Sequence, residues 1–168
     1  SVCQNIEKWL SCNIEVVPIS VNFSRLHLAD INFLDKLVCI INKYNVPSNL
    51  IEIELTESTF FENFDILLHM ITDIKKIGFL ISMDDFGSGY SSLNLLKDLP
   101  VDILKLDKEF LHKGLNTKRE RIIITSIVKM SKELEIKVIS EGVETESQSD
   151  FLKDIGCDMA QGYLFSKP

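Results

Sequence analysis

Two rhythms of apolar residues alternate along this chain. Val2, Ile6, Trp9 and Leu10 share one face of a helix running from Ser1 to about Leu10. Val16 to Asn22 reads as a short strand that ends at Asn22-Phe23-Ser24. A helix is predicted from Asp30 to Tyr44, with Asp30 as N-cap and Leu34, Leu37, Val38 and Ile41 as its stripe. Pro47 and Asn49 mark a loop, and Leu50 to Glu57 is the next strand. Phe60, Phe64, Leu67, Ile71 and Ile74 line a second long helix, closed by Gly78. Phe79 to Asp85 is a strand, a short helix from about Ser92 to Leu99 is stopped by Pro100, and Val101 to Asp107 is a strand. Arg119 to Leu134 is a helix with Ile123, Ile127, Met130 and Leu134 aligned, followed by a strand from Ile136 to Ser140. Thr145-Glu146-Ser147-Gln148 is a capping box. It opens a helix carrying Phe151, Leu152 and Ile155, which Gly156 closes, and Ala160 to Phe165 is the last strand.

Strands and helices alternate strictly, with no composition break or linker, so residues 1–168 are expected to form one α/β domain. Alternation implies parallel strands. An open doubly wound sheet and a (β/α) barrel both satisfy it.

The strand ends separate the two. Each finishes on a polar or charged group: Asn22, Glu54, Asp84 with Asp85, Lys105 with Asp107, Glu141, and Gln161. A buried parallel strand should be apolar along its length, so such residues belong at a mouth. Their agreement points to one rim, the face where barrel enzymes build their sites. The donors are hard oxygens, with no His or Cys among them, which suits Mg²⁺ or Mn²⁺. Adjacent Asp84 and Asp85 could serve two ions if the chain turns there, an arrangement suited to phosphodiester hydrolysis. Lys105 could hold or deprotonate a water, or neutralise phosphate. Read singly, these residues have plainer explanations. Glu52 and Glu57 fit a surface strand, and Lys105 with Asp107 fits an ordinary ion pair. His27, His69 and His112 are isolated, and Tyr90 and Tyr163 suit core packing as well as base stacking.

Charge adds one constraint. Eighteen basic and 25 acidic residues give a net charge of −7, which argues against general nucleic-acid binding. An anionic substrate would then need a bound cation to attract it. Cys3, Cys12, Cys39 and Cys157 have no metal spacing and read as buried free thiols of a reducing compartment. No apolar run is long enough to span a membrane and no signal peptide is recognisable, so a cytoplasmic location is expected.

Several segments together resemble the EAL domain, the bacterial phosphodiesterase of cyclic di-GMP. They are Ser20 to Ser24, Glu54-Leu55-Thr56-Glu57-Ser58, Asp84 to Leu93, Leu99 to Asp102 with Lys105-Leu106-Asp107, Glu141 to Thr145, and Gln161 to Pro168. The resemblance covers essentially the whole chain. It implies a (β/α)8 TIM-like barrel and hydrolysis of cyclic di-GMP to linear pGpG with two Mg²⁺ or Mn²⁺ ions. On that likeness Asn22, Glu54, Asp84, Asp85 and Glu141 are the metal ligands. Lys105 contacts the catalytic water, Asp107 and Glu141 share the catalytic work, and Glu144 and Gln161 support the site. Glu57 anchors the loop from Asp85 to Ser92. Ser88 stands where threonine is commoner. The Glu-Ala-Leu tripeptide that names the family, and the arginine after it, do not occur here.

The expectation is therefore a piece of a barrel, about six βα units long, with two further strands needed for eight. The intact domain would be the enzyme and this stretch alone weak or inactive. The competing reading is a degenerate domain that senses cyclic di-GMP or binds a partner protein, and a weaker one is a barrel enzyme for another phosphoester. An open barrel edge would favour pairing, so a homodimer, or fusion to sensor or GGDEF domains, is expected, including as the cytoplasmic part of a membrane-anchored protein.

Overall fold

The computed structural model describes residues 1–168 except 25, 26, 28, 29, 31, 57, 58, 60–63, 88–92, 113–116 and 168, and the side chains of residues 94, 95 and 112. Two compact units divide the chain, Ser1–Ile81 and Ser82–Pro168, with the boundary inside one strand.

The first unit contains α1 (Val2–Ser11), β1 (Ile19–Asn22), α2 (Phe33–Lys43), a 3-10 turn (Ser48–Leu50), β2 (Ile51–Thr56), α3 (Phe64–Ile77) and the start of β3 (Leu80–Phe86). β1 lies parallel to β2 in the register Ile19↔Ile51, Ser20↔Glu52, Val21↔Ile53 and Asn22↔Glu54. β2 is buried from Ile51 through Leu55, as expected of a strand covered on both faces. Ile6, Ile53, Leu55, Ile71 and Ile74 are wholly inaccessible. Helix α2 begins later than predicted, with Asn32 at the N-cap position. Asp30 instead accepts from Asn32 N at 3.0 Å and pairs with Lys36. Phe33, Leu37 and Ile41 form the buried stripe of α2. Trp9 turns outward although it shares the apolar arc of α1. Gly78 closes α3 at φ +100°, as predicted.

The second unit holds the rest of β3, α4 (Leu93–Asp98), β4 (Ile103–Leu106), α5 (Glu109–His112), α6 (Lys118–Glu133), β5 (Lys137–Ser140), α7 (Glu146–Asp154) and β6 (Met159–Ala160). The order is β1-β2-β3 in the first unit and β3-β4-β5-β6 in the second. A doubly wound sheet reverses its order at a switch point. Neither unit contains a reversal, so the progression is that of a (β/α) barrel.

Two helices of this unit carry the clearest sequence signals, and one misleads. Thr145 and Gln148 form the predicted capping box, with Gln148 N donating to Thr145 Oγ1 at 3.3 Å and Thr145 N to Gln148 Oε1 at 2.9 Å. In α6 the buried stripe is Ile124, Val128 and Ser131, one residue round from the predicted one. Ile123 and Leu134 are 45% and 47% exposed. Apolar residues from Ile122 to Ile124 offer overlapping stripes, and a buried serine hides the true one from a hydrophobicity pattern.

The predicted last strand is much shorter than Ala160 to Phe165. After Ala160 the chain wraps around Val143: Val143 N donates to Gln161 O and Leu164 N to Val143 O, each at 3.0 Å. Gly162 makes this possible, because a Cβ there would lie 2.2 Å from Val143 O and 2.3 Å from Val143 N. All four cysteines are free, as expected, but only Cys3 is buried; Cys157 is half-buried, and Cys12 and Cys39 are exposed. Among the described residues no helix is long and apolar enough to cross a membrane.

Gly162→Ala is expected to destabilise the protein by about 1–3 kcal/mol, since backbone rather than a flexible side chain must move. A lowered urea midpoint with unchanged slope would register it. An unchanged midpoint would show that the turn relaxes freely.

Candidate functional site

The site residues of the second unit come together because of an irregularity in β3. Met83 pairs with Leu104, and the next paired residue is Phe86, opposite Leu106. Three steps on β3 therefore match two on β4, which leaves one extra residue. Asp85 has φ +55°, a left-handed conformation that aspartate tolerates better than most side chains. The bulge answers the problem posed by two neighbouring carboxylates, which a regular strand would send to opposite faces.

Register brings the other groups to the same face. Lys105 is the partner of Ile139, two residues before Glu141, and Ile139 is the partner of Met159, two residues before Gln161. Side chains two apart share a face. Lys105 Nζ donates to Glu141 Oε1 at 2.8 Å and stands 3.6 Å from Asp84 Oδ1. The lysine is 7% exposed, so its ammonium needs these carboxylates. Glu141 and Asp84, at the ends of neighbouring strands, are thus ion-pair partners that the sequence pairing with Asp107 did not suggest. The ladder continues past the strands, with Glu141 N donating to Leu106 O at 3.0 Å and Gln161 N to Ser140 O at 2.9 Å.

Asp85 sits in a strongly acidic field. Burial pushes its carboxyl above the usual 3.8, and the Asp84 charge, a hydrogen bond shared with Asp107, and the charges of Asp107 and Glu141 add to the rise. Asp107 also fixes the start of α5, where its Oδ1 accepts from Glu109 N at 2.6 Å. Gly87, at φ +91°, leaves room beside the site for the Phe110 ring, which a Cβ would approach to 2.2 Å. Glu144 precedes α7 and its N–H donates to Gln148 Oε1 at 2.8 Å.

In the first unit Asn22 and Glu54 face each other across β1 and β2. Asn22 is exposed and Glu54 is 5% exposed. Phe23 N donates to Glu54 O at 3.0 Å, continuing the ladder past β1. Glu57, read as the loop anchor, and the loop residues 88–92 lie outside the described residues. Glu52 departs from expectation. It is 4% exposed rather than on the surface, and Ser20 Oγ donates to its Oε1 at 2.8 Å. Its parity with Glu54 was the signal that could have placed it inside.

The fit to a divalent cation rests on the donors themselves. They are carboxylate and amide oxygens, the hard set that Mg²⁺ and Mn²⁺ favour. Asp84 Oδ1 is buried and accepts no hydrogen bond, so it has capacity for a cation. Among the described residues no three His, Cys, Asp or Glu side chains stand close enough together to hold an ion. Lys105 stands among the carboxylates, and Asp85 is held to Asp107.

The acidic field predicts a pH effect. The folded state holds the Asp85 proton more tightly than the unfolded chain does, so that contribution to stability is fully present below 3.8 and is lost as pH rises through the raised value. Asp85→Asn keeps a residue tolerant of positive φ and has no such loss. With EDTA present, the variant should gain in melting temperature over the parent as pH rises from 3.8 toward neutrality. A constant difference across that range would contradict the raised value.

Comparison with known proteins agrees with this geometry. The family model described as the EAL domain matches residues 1–168. The bifunctional diguanylate cyclase/cyclic di-GMP phosphodiesterase MucR of Pseudomonas aeruginosa is 36% identical over 167 residues, which are 99% of this chain and 24% of that protein. The chain thus spans about a quarter of the length of that curated relative. The solved structure of a MucR phosphodiesterase in complex with cyclic di-GMP superposes with a TM-score of 0.90 at 34% identity, covering 99% of this chain and 67% of that one. BlrP1 of Klebsiella pneumoniae, in a complex with manganese and cyclic di-GMP, gives 0.89 at 25% identity, covering 100% and 43%. The match along its full length makes this chain a member of the EAL domain family.

Proposed function

We propose that this chain is the larger part of a phosphodiesterase domain that hydrolyses cyclic di-GMP to linear pGpG. The observation that carries the reading is the buried Lys105 ammonium held by Glu141 and Asp84 at the ends of neighbouring parallel strands. An apolar strand has no structural need for such a group, and phosphodiester chemistry does. The names of its relatives support the substrate: MucR is a phosphodiesterase of cyclic di-GMP, and BlrP1 was solved with manganese or calcium together with that dinucleotide.

Asn22, Glu54, Asp84, Asp85 and Glu141 would hold the metal, with two ions as the arrangement we propose. Bound there, divalent cations would neutralise phosphate charge and lower the pKa of a coordinated water. Lys105 serves as a donor: with Glu141 and Asp84 fixing its ammonium, it orients an attacking water or a phosphate oxygen. The reaction adds water to phosphorus and breaks the P–O3′ bond, leaving a 5′-phosphate and a free 3′-hydroxyl. Asp107 holds Asp85 and the start of α5 in place, while Glu144 and Gln161 line the rim. Glu57 anchors the loop that follows Asp85. The whole protein acts as a homodimer or fused to sensor or GGDEF domains.

The full-length protein should convert cyclic di-GMP to pGpG with Mg²⁺ or Mn²⁺, as followed by chromatography, and EDTA should stop it. Lys105→Ala should lower kcat by about 100-fold or more. A folded, metal-loaded protein that binds the dinucleotide without turning it over would replace the enzyme by a sensor.

A further inference from the structure

We propose that Glu52 is a positioning residue, a buried charge one layer beneath the proposed metal ligands that orients Glu54 and strengthens cation binding; this rests on the metal-dependent reading above. Ser20 and Glu52 form the pair two positions before Asn22 and Glu54 in the β1–β2 register. Residues two apart on a strand share a face and lie ~6.6 Å apart. The two glutamates therefore stack on one side of β2. Both are buried, at 4% and 5% exposure. Burying a carboxylate is costly, and a neutral hydroxyl does not balance its charge. Ser20 Oγ, donating to Glu52 Oε1 at 2.8 Å, does fix where that charge stands. A divalent cation at the level of Glu54 would feel the attraction of the carboxylate at Glu52 as well. At this separation a unit charge acts appreciably on a divalent ion even through a water-like dielectric.

Glu52→Gln keeps the length of the side chain and the oxygen that accepts from Ser20, and removes only the charge. Mn²⁺ binding to the full-length protein, measured by calorimetry at fixed pH, should weaken about tenfold in this variant. Its metal-free melting temperature should stay level or rise, whereas a purely structural role would leave Mn²⁺ affinity unmoved. Ser20→Ala frees the carboxylate without changing charge and should weaken Mn²⁺ binding about threefold alone. In the Glu52→Gln background it should add nothing. A parent that binds no Mn²⁺ would overturn this inference together with the proposed function. A parent that binds Mn²⁺, with Glu52→Gln at unchanged affinity or with additive losses in the double variant, would overturn this inference alone.

Discussion

A buried ammonium cannot stand alone, and much of the second unit follows from that. Lys105 lies at the end of β4 with almost no access to water. Desolvating such a charge costs several kcal/mol unless carboxylates surround it. The flanking strands supply them, Asp84 from β3 and Glu141 from beyond β5. Parallel register makes this possible at no cost to the core, because alternate residues Leu104 and Leu106 remain on the apolar face, wholly buried. The requirement also runs the other way. Asp84, Asp85, Asp107 and Glu141 could not be gathered at one rim without a positive charge among them. The rim is thus a balance of charges in which the lysine is one fixed member.

That balance depends on backbone geometry as much as on residue type. Asp85 reaches the cluster through one extra residue in β3 and a left-handed φ. Gly87 then leaves space that the Phe110 ring occupies, which packs the segment after the bulge against the residues following β4. Asp107 joins the two, with one hydrogen bond to Asp85 and another to the first amide of α5. Acidic groups are therefore held by backbone features with little freedom to drift.

The sequence made the strand ends legible for a simple physical reason. Apolar runs such as those before Asp84 and Lys105 cannot continue into carboxylates inside a core, so the polar residue marks the exit. The capping box at Thr145 and the glycine after α3 were legible too, since each satisfies a local rule. What stayed hidden depended on tertiary context. The stripe of α6 includes a buried serine, so the apolar pattern favoured a neighbouring face. The end of β6 looked like a strand but is a turn around Val143. Cys39 sits among apolar neighbours yet points outward from α2. Glu52 read as surface because glutamate usually is. The bulge at Asp85 has no marker at all beyond the doubled aspartate.

The bulge has a consequence for how such a domain changes over generations. Losing one codon there would restore a regular ladder between β3 and β4, and the backbone hydrogen bonds would be satisfied as well as before. The remaining aspartate would keep its place while its neighbour vanished from the rim. A lineage could in this way lose one rim carboxylate in a single step and retain the architecture. The doubled aspartate is therefore a better marker of the acidic rim than the intact sheet around it.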